Sequence, residues 1–207
     1  MSFTIAEQEK GHQNEVPPIV IGKLSISPLK ESDLEDLLPF CEKEIGAGYY
    51  NKESLFELLC LSYHKGFVCS FVGRDIETNK VGAVRLTTIA GSMDTTQKGH
   101  TPEEWRVHPL EVGYFKSMFL AAEYQGSGIG GQISRLSLEK LKLQGAKAVL
   151  SHCSLSSPNG SSRRYLQKMG FTPVQEHEGF WADIDYLCAH CYKKPCTCKA
   201  LEMILYL

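Results

Sequence analysis

The chain has 207 residues, 43% hydrophobic and 22% charged, enough for one proper core and ordinary for a globular protein. Its formal net charge of −2 leaves no basic footprint, which argues against nucleic acid or an anionic membrane as partner. The first eighteen residues lack the basic start and apolar core of a secretory signal, and no apolar run nears the ~20 residues of a membrane span. Cytoplasm is therefore the expected compartment.

Residues 1–18 are polar, end in Pro17-Pro18 and predict a tail, with one domain over 19–207. Residues 19–26 (IVIGKLSI) alternate as a first strand. Ser32 or Asp33 can cap a helix through Leu34, Leu37, Leu38, Phe40 and Cys41 that ends near Ile45-Gly46. After a turn at 46–50, residues 52–64 predict a second helix with Leu55, Leu58, Leu59 and Leu61 on its apolar side, closed by Gly66. Residues 67–75 and 81–90 predict a hairpin across the polar turn 77–80. Residues 91–109 have little periodicity; a stretch of that length is commonly functional or mobile, and a solvated excursion is the plain alternative.

The most informative run is 111–171. Val112, Tyr114, Phe115, Met118, Phe119 and Leu120 predict a strand, and Ile133, Leu136 and Leu141 follow at helical spacing. Between them stand Gln125, Gly126, Ser127, Gly128, Ile129, Gly130 and Gly131. Glycine lets the backbone bend and its N–H groups approach a ligand, and at a helix N-terminus those donors and the helix dipole seat a phosphate. A packing role alone would suffice for an isolated glycine motif. Here a second strand (148–154, AVLSHCS) and a helix ending in Lys168-Met169-Gly170-Phe171 complete the pattern.

This order, strand–QGSGIG–helix–strand–Asn–KMGF, resembles the GNAT superfamily of acyl-CoA-dependent N-acyltransferases. The resemblance implies an α/β (α+β) fold, a mixed, mostly antiparallel twisted sheet with helices on both faces. It implies acetyl-CoA as donor and a primary amine, on a small molecule or peptide, as acceptor in a ternary complex. Gln125, Gly126, Ser127, Gly128, Ile129 and Gly130 would bind the CoA pyrophosphate, and residues 116–121 would pair with the pantetheine arm. A backbone N–H near Met118, Phe119 or Leu120 would face the oxyanion. Asn159 and Ser162 would join the donor site, Asn159 also as a catalytic candidate near the pantetheine or an active-site water, with N-capping as its alternative.

Two helices between the first strands would wall the acceptor site, with Tyr49, Tyr50 and Trp105 beside it and 91–109 as an acceptor-site loop. Glu111 is the first candidate for the base, with His108, His100 and His152 as alternatives. The family often places a Tyr five residues before the Phe of its terminal Gly-Phe, where this chain has Leu166. Tyr165 is its neighbour, a turn of about 100° away around a helix, so it is a candidate acid with a core aromatic as the alternative. A homodimer is an allowed assembly. A CoA-binding sensor or scaffold without turnover is the alternative function.

Cys188, Cys191, Cys196 and Cys198 fall within eleven residues and match the count of an all-cysteine zinc site. The turn at Lys193-Lys194-Pro195 would fold them into a hairpin over 186–199, with a redox pair or free thiols as alternatives. Cys41, Cys60, Cys69 and Cys153 lie in apolar elements and are expected as small core residues. Residues 200–207 (ALEMILYL) predict the last strand.

Overall fold

The computed structural model describes residues 17–207; most of the expected tail, residues 1–16, lies outside the described residues. The alternating run at 19–26 is two strands rather than one. Gly22, at φ 62°, turns the chain between β1 (Ile19–Ile21) and β2 (Leu24–Pro28), which pair antiparallel. A two-residue hairpin loop keeps the alternation on both sides, so the pattern alone hides the reversal.

Helix α1 (Leu34–Ile45) follows a short 3-10 turn, and α2 (Lys52–Leu61) is capped by Asn51, whose Oδ1 accepts from Ser54 N–H at 2.7 Å. Such a cap contributes ~1 kcal/mol. Helix α2 stops three residues short of its expected end. Tyr63–His64 (β3) instead pairs with Phe67–Val68 (β4) across Lys65 and Gly66, both at positive φ.

The remaining elements are β5 (Phe71–Asp75), β6 (Val81–Thr88), β7 (Val112–Leu120), α3 (Ile129–Gln144), β8 (Ala148–Ser154), α4 (Ser161–Lys168), β9 (Thr172–His177) and β10 (Ala200–Tyr206). Eight strands form one sheet in the order β1-β2-β5-β6-β7-β8-β10-β9. Every neighbouring pair is antiparallel except β7 and β8, whose parallel pairing requires the α3 crossover. This is the mixed, mostly antiparallel sheet that the sequence led us to expect. Helices α1 and α2 cover one face through Leu37 and Leu55 against Val72, Val84 and Leu86. On the other face Leu141 of α3 and Leu166 of α4 pack against Phe115, Val149 and Met203.

Two irregularities create the site. Leu86 and Thr87 are consecutive on β6 but oppose Ser117 and Phe115 on β7, so Lys116 is an extra, bulged residue. The β7–β8 ladder runs from Val112↔Ala148 to Phe115↔Ser151 and stops there, although both strands continue. The sheet therefore opens at the bulge. Among the described residues no helix is long and apolar enough to cross a membrane.

Candidate active site

The glycine turn after β7 is held rigidly from outside. Tyr124 lies against Gly82, where a Cβ would come within 2.5 Å of its ring, and its hydroxyl donates to Asp75 Oδ2 at 2.6 Å. That hydrogen bond, with those from Thr78, lowers the Asp75 pKa to about 2. Gln125 turns back to donate from Nε2 to Leu120 O at 2.9 Å, and Ser127 Oγ donates to Tyr124 O at 2.6 Å. Gly126 and Gly128 sit at φ 75° and 80°, with open space where a Cβ would point. No side chain caps α3, so its first-turn N–H groups and dipole face outward at the turn. Gly130 lets α3 approach β7; a Cβ there would lie 3.1 Å from Leu120 and 3.3 Å from Met118.

From this turn the gap between β7 and β8 runs into the molecule. Residues 117–120 pair with β6 on one edge alone, so alternate N–H and C=O groups on the other edge face the gap. Ser151 Oγ donates to Phe115 O at 3.0 Å at the last paired position. On the α3/α4 face Tyr165 borders the gap, its hydroxyl hydrogen-bonded to Ser134 of α3. Cys153 is a buried thiol whose pKa burial raises, so it is no activated nucleophile.

On the opposite face lies a cleft of about 190 Å³, lined by Tyr49, Tyr50, Glu57, Leu58, Lys116 and Ile184. Tyr50 hydroxyl bonds Ser117 Oγ at 2.6 Å, tying the α1–α2 connection to β7 just beyond the bulge. Lys116 Nζ stands 5.9 Å from the ring centroids of both Tyr49 and Tyr114. Tyr114 in turn meets His152 of β8, with 3.0 Å between its hydroxyl and Nδ1. His152 Nε2 lies 2.6 Å from Gly99 O, which can only accept, so Nε2 carries the proton and Nδ1 accepts from Tyr114. Burial lowers the His152 pKa to about 3 and raises that of Tyr114, so both are neutral near pH 7.

The loop 91–109 is fastened to the sheet by a buried carboxylate. Glu202 of β10 accepts from Trp105 Nε1 at 2.7 Å, from Thr101 through both N–H and hydroxyl, and from His177 Nε2 at 2.9 Å. Trp105 is fully buried in this network, so it supports the loop and does not line the cleft beside Tyr49 and Tyr50. His152, His177 and Glu202 are close enough to hold an ion, their ligand atoms lying within 4.8 Å of one another. Both ring nitrogens of His152 and both oxygens of Glu202 already have partners, which makes this a closed hydrogen-bond network.

Other residues singled out from the sequence are dispersed. Glu111 precedes β7, where Lys147 holds it at 2.7 Å and lowers its pKa through that bond. It stands five residues before the bulge, about 16 Å along an extended strand. His108 accepts from Leu110 N–H at the same end, and His100 packs its ring on His152. Asn159 is exposed in a left-handed conformation (φ 53°) and does not cap α4, whose cap position is Gly160. Ser162 Oγ donates to Ser154 O at 3.0 Å, closing the end of β8 onto α4. Cys60 is exposed, unlike Cys41, Cys69 and Cys153, which are core. Because Tyr165 is engaged by Ser134, we expect Tyr165→Phe to lower turnover less than ~10-fold, where loss of a general acid would cost ~10²-fold or more. Steady-state kinetics would decide.

Four cysteines converge in the segment between β9 and β10. Cys188 and Cys198 Sγ atoms lie 3.9 Å apart and those of Cys191 and Cys196 3.8 Å apart. Four thiolates at ~2.3 Å from one zinc would be separated by about 3.8 Å, so the donor set fits a tetrahedral ion. Backbone N–H groups of His190 and Cys198 point at Cys188 and Cys196 Sγ. The hairpin packs on α1 and the cleft: Ala189 N–H donates to Ile45 O, and Tyr186 meets Tyr49 edge-on with centroids 4.9 Å apart.

The chain matches the Acetyltransferase (GNAT) family over residues 33–171, more than half its length, and belongs to that family. A sequence search of curated proteins finds no match. Among solved structures, the ribosomal-protein-S18-alanine N-acetyltransferase of Escherichia coli is similar at 14% identity, TM-score 0.58, with 88% of this chain and 93% of that chain covered. The NatC complex bound to Gag peptide and CoA gives 12% identity, TM-score 0.65, over 89% and 99%. The Drosophila melanogaster polyamine N-acetyltransferase, which catalyses formation of N-acetylagmatine, gives 14%, TM-score 0.58, over 89% and 100%. At these identities the likeness is one of fold.

Proposed function

We propose that the chain, acting as one unit over residues 19–207, transfers an acetyl group from acetyl-CoA directly to a primary amine. The observation that carries this reading is the loss of β7–β8 pairing beyond Phe115 and Ser151, with the glycine turn after the end of β7 and the Tyr49–Lys116 cleft at its bulge. Donor and acceptor can then meet inside the sheet, with no activated side-chain nucleophile between them.

The donor fits the residues present, since Gly126 and Gly128 leave their space open and α3 offers uncapped N–H groups for a pyrophosphate. The unpaired edge of 116–120 supplies backbone partners for the pantetheine arm, and one N–H near Met118 to Leu120 faces the developing oxyanion. In this reading Asn159 and Ser162, at the start of α4, complete the donor site. The acceptor is a small-molecule or peptide amine bound among Tyr49, Tyr50, Glu57 and Lys116. Its proton passes to a water held by the Tyr114 oxygen, which keeps a lone pair free because its own proton is donated to His152 Nδ1. Glu111, engaged by Lys147, takes no part. The four cysteines hold a structural zinc.

Tyr114→Phe is therefore expected to lower kcat about 10- to 10²-fold while leaving acetyl-CoA affinity unchanged. The function itself is tested by thiol release from acetyl-CoA across a panel of amines, peptide N-termini included. Amine-dependent release supports the reading; tight CoA binding with no release by any amine would favour a sensor or scaffold.

A further inference from the structure

Arg85 is a buried cation with unused donors. It projects from β6 on the α3/α4 face, is 2% exposed, and has no carboxylate partner among the described residues. Its Cζ lies 3.4 Å from the centroid of the Phe115 ring. Nε and Nη2 are both buried without a hydrogen-bond partner. The nearby thiol Cys69 gives its own hydrogen bond to Thr87 O, and burial lifts its pKa to about 12, so it supplies no counter-charge. Burial lowers the Arg85 pKa only to about 10, which leaves the guanidinium charged at neutral pH. An unpaired charge in such a position is costly, and stacking on Phe115 satisfies none of its N–H groups.

Its location relates it to the gap. Arg85 is opposite Met118 in the β6–β7 register, two residues beyond the bulge. The side chain reaches back over Phe115, the last residue of β7 paired with β8. The guanidinium therefore lies over β7 where the two strands part. Tyr165 approaches the same place from α4, and its hydroxyl is occupied by Ser134. Of the buried unpartnered donors among the described residues, only those of Arg85 carry charge.

We propose that Arg85 receives the sulfur of CoA as the thioester breaks, stabilising the leaving thiolate in place of an aromatic acid. The amine nitrogen bonds to the carbonyl carbon, its proton passes to water, and collapse of the oxyanion breaks the C–S bond. The electron pair goes to sulfur, leaving the amide and a thiolate beside the guanidinium. Two charge-assisted N–H donors fixed in a buried site favour that charge more than they favour the neutral thioester. The proposal rests on the gap being the thioester seat.

The test is titration of the CoA thiol bound to the wild-type protein, followed by thiolate ultraviolet absorbance. The expected midpoint is about one pH unit or more below that of free CoA. In Arg85→Gln it should return towards the free value, with kcat down ~10²-fold and the KM for acetyl-CoA within ~3-fold. Arg85→Lys, which keeps the charge but loses the fork, should be intermediate. A bound thiol that titrates as free CoA does in the wild type overturns the proposal, whatever happens to the folding of any variant. So does a tenfold preference for succinyl-CoA with an unshifted midpoint, which would make Arg85 a receptor for an acyl carboxylate. Failure of the wild type to bind CoA at all would overturn the donor reading itself, and this proposal with it.

Discussion

Gly128→Glu is expected to abolish CoA binding in a protein that still folds. Gly128 sits at φ 80°, directly before α3, with no atom within 4 Å of where its Cβ would be. A side chain is therefore sterically admissible, and left-handed strain costs only about 1–2 kcal/mol. What the glutamate does is local. It places a carboxylate at the positive end of a sixteen-residue helix, in the volume a pyrophosphate needs. Anion repulsion and bulk act together, and affinity should fall at least ~10²-fold at physiological salt. Gly128→Ala separates the contributions, because it carries the strain without the charge and should retain measurable binding. Calorimetry that found unchanged CoA affinity in folded Gly128→Glu would remove the donor site from this turn.

That prediction was legible from the sequence because a phosphate seat demands particular residue types at fixed spacing. The strand–turn–helix–strand order from Val112 to Ser154 was legible for the same reason, its periods switching from two to 3.6 and back. The hairpin at Gly22 was not, since alternation resumes in phase after the turn; the glycine inside an alternating run was the available signal. The bulge at Lys116 was hidden too. It changes which residues of β7 face the cleft, bringing Ser117 to the side of Tyr114 to meet Tyr50.

The chemistry of the site was less readable because it joins distant residues. Tyr114 and His152 are 38 positions apart and meet only because β7 and β8 are parallel neighbours. Glu202 and Arg85 each stand as the one charge in an otherwise uncharged strand, a pattern that should have marked them as paired or functional. Glu202 proved to be paired, holding the loop at Thr101 and Trp105. Arg85 proved to have no partner for Nε or Nη2. Spacing within one segment, as in the four cysteines, is far easier to interpret than spacing across the sheet.

Cys198→Ser is expected to remove the proposed zinc and to disturb the proposed acceptor site. The sulfurs already stand at the separations a tetrahedral ion imposes, so one ion per chain should be found by elemental analysis of protein purified without added metal. Binding requires thiolates, so loading should release protons and stabilise the fold. If losing the ion removed ~3 kcal/mol, the melting temperature of a chain this size would fall by roughly 6–12 °C. The functional effect should be directional. Tyr186 and Ile184 belong to the same packed cluster as Cys188, Cys196 and Cys198, Tyr186 rests on Tyr49, and Ile184 lines the cleft. The glycine turn is anchored elsewhere, through Tyr124 just before it, which contacts Asp75 and Gly82. Metal loss should thus raise the KM for the amine several-fold while CoA affinity persists, whereas global unfolding would remove both together. Wild-type protein found metal-free, with four titratable thiols and a melting temperature that added zinc leaves unchanged, would end the zinc assignment.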